Sequence, residues 1–195
     1  FTFGTQTNGY HLTKDFLENP LTDKLNWISV SITGWDSYES IYKLNPDIVR
    51  NNVIEAAKII GNKLSITWVD DPKIDKSELE KMKEWHKKYL EPYNVSFSMN
   101  ELHTRGGHYE YPGAFDNGIR KFKNCGIFRY VNFISSSGHV VLCCMDVDSS
   151  YKIADISKES ISSILDKKKK IQTEESGFDI CNKCNSFAYL TPVEI

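Results

Sequence analysis

The chain has 195 residues, 40% of them hydrophobic, and a formal net charge of −2 at pH 7. This length suits one domain, or one domain with a smaller appendage. The near-neutral charge gives no sign of a nucleic-acid partner, and no stretch approaches the roughly 20 apolar residues of a membrane-spanning helix. The lysine-rich stretches at 81–88 and 167–170 lie in helix-like sequence, so we expect solvated helix faces there.

The start of the chain shows no charged-then-apolar signal segment, and its first residue is Phe rather than Met. We therefore expect that an upstream portion is missing from this sequence. Without a visible signal segment, we expect a reducing, cytoplasmic location. In such a compartment clustered cysteines favour a metal site over disulfides.

Strand-like and helix-like segments alternate in the first half of the sequence. β-branched runs predict strands, and apolar residues at helical spacing, with Asn45-Pro46 as a helix start, predict helices. The predicted strands are 1–7, 25–32, 64–69 and 95–99, and the predicted helices are 12–18, 46–60 and 78–89. Strands separated by helices indicate a parallel sheet with right-handed crossovers, equivalent to about half of a βα-barrel.

The composition changes after residue 103. A connector rich in Gly, Pro and aromatic residues spans 104–113. Two β-prone runs, 128–134 and 139–145, flank Ser135-Ser-Ser-Gly138 and predict a hairpin. A helix-like stretch at 160–171 follows, and then a polar loop that contains Cys181-Asn-Lys-Cys184.

The five cysteines all lie in this second half, at positions 125, 143, 144, 181 and 184. The predicted hairpin can bring Cys125 close to Cys143, and the Cys-x-x-Cys loop presents two thiols from one turn. Neighbours on a strand point to opposite faces, so only one of Cys143 and Cys144 is expected to join a shared site. We expect Cys144 to be a small buried apolar residue instead. Four thiolates suit either tetrahedral zinc or an iron–sulfur cluster, and ligand type does not separate the two.

The order of these motifs resembles radical S-adenosylmethionine (SAM) enzymes with a C-terminal Twitch or SPASM auxiliary iron–sulfur domain. Cys125, Gly138, Cys143 and Cys181-x-x-Cys184 are similar to the auxiliary-cluster motif. Gln6-Thr-Asn-Gly9 is similar to the end of the third barrel strand of that family, and Thr104-Arg-Gly-Gly107 to the end of the sixth. Ser29-Val-Ser-Ile-Thr-Gly34 is similar to the fourth strand, with Thr33 where an Asp is usual.

The resemblance implies an α/β chain with barrel strands three to six in residues 1–109, and a small β-hairpin and helix domain in residues 110–195. It implies that Cys125, Cys143, Cys181 and Cys184 hold one auxiliary [4Fe–4S] cluster for electron transfer. Gln6 and Ser31 match positions near SAM. The Cys-x-x-x-Cys-x-x-Cys and Gly-Gly-Glu motifs of the family are absent from the sequence, so the chain alone should not cleave SAM.

The resemblance further implies an oxidoreductase or a peptide or natural-product maturase that uses a 5′-deoxyadenosyl radical. Its partners would be a peptide or small-molecule substrate and an external electron donor such as flavodoxin or ferredoxin, with no nucleic acid and no membrane. Side chains after the sixth strand are candidates for substrate contact because active sites of βα-barrels lie at the C-terminal strand ends; these are His103, Arg105, His108 and Tyr109. The alternative is a non-catalytic four-cysteine zinc or iron–sulfur protein, or a remnant subunit.

Overall fold

The computed structural model describes residues 2–104, 125–174 and 178–184. The chain separates into two compact units, Phe1–Leu102 and His103–Ile195. We call the first the sheet unit and the second the cysteine unit.

The sheet unit contains four parallel strands in the order β1-β2-β3-β4. The strands are β1 (Gly4–Thr7), β2 (Trp27–Ser31), β3 (Leu64–Asp70) and β4 (Ser96–Glu101), and the helices are α1 (Lys14–Leu17), α2 (Tyr38–Tyr42), α3 (Pro46–Ile60) and α4 (Lys76–Tyr89). The predicted parallel sheet is confirmed, and the predicted helix over 46–60 has the bounds expected from its Asn45 cap and Pro46 start. Short 3₁₀ turns at Thr22–Lys24, Gly61–Lys63 and Glu91–Tyr93 lead into β2, β3 and β4.

The two faces of this sheet differ in chemistry. One face is apolar, with Val30, Ile66 and Trp68 buried against α3 and α4 in a single core. Strands that follow one another in sequence order, joined by right-handed crossovers, place their helices on one side of the sheet.

The opposite face is lined by small hydroxyl side chains. The Oγ atom of Ser29 lies 2.9 Å from Oγ1 of Thr67, which lies 3.3 Å from Oγ of Ser98. The four parallel strands form an open sheet and do not close into a barrel. Among the described residues the structure has no further parallel strand.

The described part of the cysteine unit has shorter strands and one long helix. Its elements are α5 (Gly126–Tyr130), β5 (Phe133–Ile134), β6 (His139–Val141), β7 (Lys152–Asp155), α6 (Ile161–Glu174) and α7 (Asp179–Asn182). The three strands form an antiparallel sheet in sequence order. The hairpin around Ser135–Gly138 is confirmed, and α6 covers the predicted helix, but β7 was not predicted.

Two expectations for the hairpin are wrong. The first run, 128–134, is not one strand, because α5 forms at its start and buries Ile127 and Phe128; only two residues then pair in β5. The second strand ends at Val141, since the N–H of Asp146 donates to the carbonyl of Cys143 and closes a turn there. High β-propensity at both places is overridden by tertiary packing.

Among the described residues, no helix is both long and apolar enough to cross a bilayer.

Candidate metal centre

The cysteines come from three separate segments of the cysteine unit. Cys125 directly precedes α5, Cys143 and Cys144 lie in the turn after β6, and Cys181 lies in α7 with Cys184 just beyond it. All five are half-buried, and none forms a disulfide. The Cys-x-x-Cys segment was expected to be a polar loop and is instead a helical turn, because Ile180 is buried in the core and anchors it.

The argument that Cys143 and Cys144 point to opposite faces of a strand is also wrong. Both residues follow the strand, and both pack against the same core cluster. The Cys143 sulfur accepts a backbone hydrogen bond, because the N–H of Met145 donates to it at 3.4 Å. Amide donors of this kind stabilise a sulfur that carries negative charge.

The four predicted ligands share one neighbourhood. Burial raises the pKa of the Cys181 thiol to about 11, and charges at Cys125 and Cys184 act on it in the same direction. Burial raises the pKa of Cys143 to about 12, and charges at Cys144 and, to a smaller extent, Cys181 act in the same direction. Cys181 is therefore within electrostatic range of Cys125, Cys143 and Cys184. Because the pKa values of Cys143 and Cys181 are raised, ligation of a metal by these two thiols must release their protons.

Contacts that do not involve the sulfur atoms also fix the positions of the cysteine segments. The buried carboxylate of Asp146 accepts hydrogen bonds from the N–H groups of Ser150 (2.9 Å) and Tyr151 (3.2 Å), which holds the turn after Cys143. The Tyr151 ring meets the Phe178 ring edge-on at 5.2 Å, directly before α7. These contacts join the turn of Cys143 to the helix of Cys181.

A further tether reaches the Cys-x-x-Cys segment from the start of the cysteine unit. The Thr104 hydroxyl is buried and donates to the carbonyl of Lys183 at 3.1 Å, between the two cysteines. His103, a candidate for substrate contact, is half-buried and follows the end of β4. Arg105, His108 and Tyr109 lie outside the described residues.

The spacing of the donors bears on the choice of metal. In the described part of the chain, no group of three or more His, Cys, Asp or Glu side chains is arranged to hold one metal ion. Thiolates around a tetrahedral zinc ion lie only about 3.8 Å apart, given Zn–S bonds of about 2.3 Å. The donors that the cysteine unit offers are half-buried cysteine sulfurs, a donor set that suits an iron–sulfur cluster.

The predicted SAM contacts lie in the sheet unit. The Nε2 atom of Gln6 donates to Oγ of Ser31 at 2.7 Å, so the structure brings these two side chains together at the carboxyl ends of β1 and β2. The carboxyl ends of barrel strands are where functional groups are placed in βα-barrels.

A buried carboxylate that sequence analysis missed fixes the segment after β2. Oε2 of Glu78, in the first turn of α4, accepts hydrogen bonds from the N–H groups of Trp35, Asp36 and Ser37 at 2.6, 2.9 and 3.0 Å. The Ser37 hydroxyl adds a fourth at 2.8 Å. The Arg50 guanidinium lies over the Trp35 ring at 3.6 Å and donates to the Trp35 carbonyl at 2.7 Å. Glu78 is on the same helix stripe as Met82 and Trp85, which was the available sequence signal.

Comparison with protein families assigns the cysteine segment. Residues 125–185 match the SPASM family, described as an iron–sulfur cluster-binding domain. This match begins at Cys125 and includes Cys143, Cys181 and Cys184, but it covers less than half of the chain. Searches of curated proteins and of solved structures gave no significant match. Residues 125–185 of this chain are therefore similar in sequence to the SPASM iron–sulfur cluster-binding domain.

Proposed function

We propose that this chain is the C-terminal portion of a radical SAM enzyme and that Cys125, Cys143, Cys181 and Cys184 hold one auxiliary [4Fe–4S] cluster. The observation that carries the proposal is the shared position of these four cysteines within the segment that matches an iron–sulfur domain. The reaction would be an oxidation or the maturation of a peptide or natural product with a 5′-deoxyadenosyl radical.

The cluster, when bound, supplies one-electron transfer. Four cysteine ligands would occupy every iron, so substrate would not bind through the metal. Residues of the chain would hold the thiolates and limit their contact with water: Met145 donates its N–H to the Cys143 sulfur, and Phe128, Leu142 and Ile180 supply the surrounding apolar core. Low solvent access and amide hydrogen bonds are the means by which a protein sets a cluster's potential.

The sheet unit would contribute an arc of the barrel, strands three to six. Support comes from its parallel order, its helices packed on one apolar face and its line of hydroxyl groups on the other. We propose that Gln6 and Ser31, hydrogen-bonded to each other at the strand ends, contact SAM. Substrate contacts would come from His103, Arg105, His108 and Tyr109, which follow β4.

The substrate class and partners belong to the same proposal. A peptide or a small molecule would be the substrate, and flavodoxin or ferredoxin the external electron donor, in the cytoplasm. A fold of this kind accepts many substrates, so the site rather than the fold must select among them.

One observation favours a second function. The 195 residues contain no Cys-x-x-x-Cys-x-x-Cys motif, so the SAM-cleaving cluster must come from sequence or from a chain other than these residues. If none supplies it, the protein is a non-catalytic cluster-binding module or a remnant subunit. The chain alone is expected to release no 5′-deoxyadenosine from SAM, and its release would contradict this account.

The metal is tested by spectroscopy on anaerobically purified chain. A [4Fe–4S] centre gives brown colour and, after dithionite reduction, an electron paramagnetic resonance signal. A zinc site gives neither, and metal analysis then finds zinc in place of iron. Colourless protein with one bound zinc would reject the cluster proposal.

The SAM contacts are tested in the protein that also carries the three-cysteine motif. Gln6→Ala and Ser31→Ala should each weaken SAM binding, measured by equilibrium dialysis, with iron content unchanged. Ser96→Ala is the matched control, because Ser96 is exposed on β4, distant in register from the strand ends. Equal affinity in all three variants would remove Gln6 and Ser31 from the SAM site.

A further inference from the structure

Lys168 differs from its three lysine neighbours. It lies on α6 and is only 4% exposed, whereas Lys167, Lys169 and Lys170 are exposed. The expected solvated face at 167–170 is therefore wrong at this position. Lys168 lies on the stripe of α6 that also carries Ile164 and Ile171, which pack against the core of the cysteine unit.

The ammonium group of Lys168 is held by the segment that begins at Cys125. Its Nζ atom donates to the carbonyl of Val131 at 2.8 Å and to Oδ1 of Asn132 at 2.9 Å. It also lies 5.0 Å from the centre of the Phe128 ring. Two neutral acceptors and an aromatic face fix the position of the charge but do not neutralise it.

The group of opposite sign that acts on Lys168 is Cys125, which directly precedes the helix α5 that Lys168 contacts. Lys168 forms no salt bridge with the carboxylates of the described residues. Burial, the larger influence, lowers the pKa of Lys168, and charge at Cys125 opposes that effect. A buried ammonium without an anion is costly, by several kcal/mol in proteins. The thiolate of Cys125, once it is a cluster ligand, supplies the missing negative charge.

We propose that the Lys168 ammonium is the fixed counter-charge of the iron–sulfur cluster and raises its reduction potential. Reduction adds one electron, taken from the external donor, to an already anionic centre. A positive charge held nearby in a region of low dielectric stabilises the reduced form more than the oxidised form. Lys168 would be a positioning and tuning residue, since it contacts a ligand's segment rather than substrate. The inference depends on the proposed cluster.

A merely structural Lys168 would change stability but not potential. Lys168→Met keeps the length and apolar stem of the side chain and removes the charge. Lys168→Gln removes the charge but retains a donor for the Val131 carbonyl, and Lys168→Arg keeps the charge. Lys170→Met is the matched control, because the Lys170 side chain is 71% exposed and its charge is screened by solvent.

The test is a redox titration of the cluster, monitored by electron paramagnetic resonance, in the whole chain with known iron content. The methionine and glutamine variants should shift the midpoint potential to more negative values, while Lys168→Arg and Lys170→Met stay near the wild type. Fully loaded neutral variants with unchanged potential would overturn the inference and leave the proposed function intact. Wild-type protein without iron would instead reject the proposed function.

Loss of the cluster in the variants is also informative. If neither neutral variant retains iron but Lys168→Arg does, the charge at this position is required for the cluster, as proposed. If Lys168→Arg loses iron equally, the position matters for packing and the inference fails.

Discussion

The two units of this chain are stabilised in different ways. In the described residues, 17 buried apolar residues form the core of the sheet unit and eight form that of the cysteine unit. Strands of the sheet unit are four to seven residues long, whereas those of the cysteine unit are two to four residues long. Small cores usually need a metal or disulfides. The cysteines in the described part of the cysteine unit form no disulfide, and the proposed cluster would complete its core.

The largest effect should come from removing a cluster ligand. Cys184→Ala is expected to lose most of the iron and several kcal/mol of stability in the cysteine unit, because metal binding and folding are coupled. Iron analysis of the whole chain measures the loss of metal, and hydrogen exchange measures the loss of stability. Amide protection in β2 and β3 of the sheet unit should persist.

Cys144→Ala is the control for this change. It should leave iron content nearly unchanged, since Cys143 supplies the ligand from that turn. Equal iron loss in both variants would show that the ligand assignment is wrong. If Cys184→Ala lost hydrogen-exchange protection in both units together, the two units would not be stabilised separately.

In the sheet unit, we expect the largest loss of stability from substitution of Glu78. Glu78→Ala leaves three backbone N–H groups and a hydroxyl without their acceptor, at a cost of about 3 kcal/mol. Chemical denaturation of the whole chain measures this loss, and iron content should not change. Glu80→Ala is the control, because Glu80 forms only an exposed pair with Lys83. A loss below about 0.5 kcal/mol would contradict the role assigned to Glu78.

Substitutions at two glycines allow the packing of the two units to be compared directly. Gly9 and Gly138 both have φ of +80°, but a Cβ at Gly9 would lie 2.9 Å from Val30 and 3.2 Å from Val49, whereas the nearest neighbour at Gly138 is 3.6 Å away. Gly9→Ala should cost about 2 kcal/mol and Gly138→Ala about 1 kcal/mol. Thermal denaturation would detect the difference, and a reversed order would contradict it.

The smallest effect concerns acid pH. Burial, the largest single influence on Glu78, raises its pKa, but the hydrogen bonds from Ser37, Trp35 and Asp36 outweigh it and hold the pKa below 4.5. The stability from this lowered pKa is present above the ordinary value of 4.5 and is lost as pH falls through the lowered value. Denaturation midpoints measured between about pH 5 and pH 3 should therefore fall less in Glu78→Gln than in the wild type. Parallel curves would exclude this linkage.

Sequence patterns predicted the sheet unit better than the cysteine unit for a physical reason. Helix α3 has a cap, an N-terminal proline and an apolar stripe, and these local signals agree with its packing. In the cysteine unit the runs 128–134 and 139–145 have high β-propensity, but burial of Phe128 in α5 shortens the first strand and the turn at Cys143 ends the second. Contacts between distant segments are not encoded in local patterns.

Glu78 and Lys168, which sequence analysis missed, share one feature of the sequence. Glu78 lies on the stripe of Met82 and Trp85, and Lys168 on the stripe of Ile164 and Ile171, with the same spacing along each helix. A charged residue inside an apolar helix stripe predicts a buried, partnered charge. The partners themselves, a loop in one unit and a cysteine segment in the other, could be identified only from the structure.

The central claim is that four cysteine sulfurs from three segments surround one iron–sulfur centre. Its most direct measurement is the iron and acid-labile sulfide content of the anaerobically purified chain. We expect about four irons and about four sulfides per chain, and none in a variant with Cys181 and Cys184 both replaced by Ala. Stoichiometric zinc without sulfide, or iron that persists in the double variant, would contradict the account.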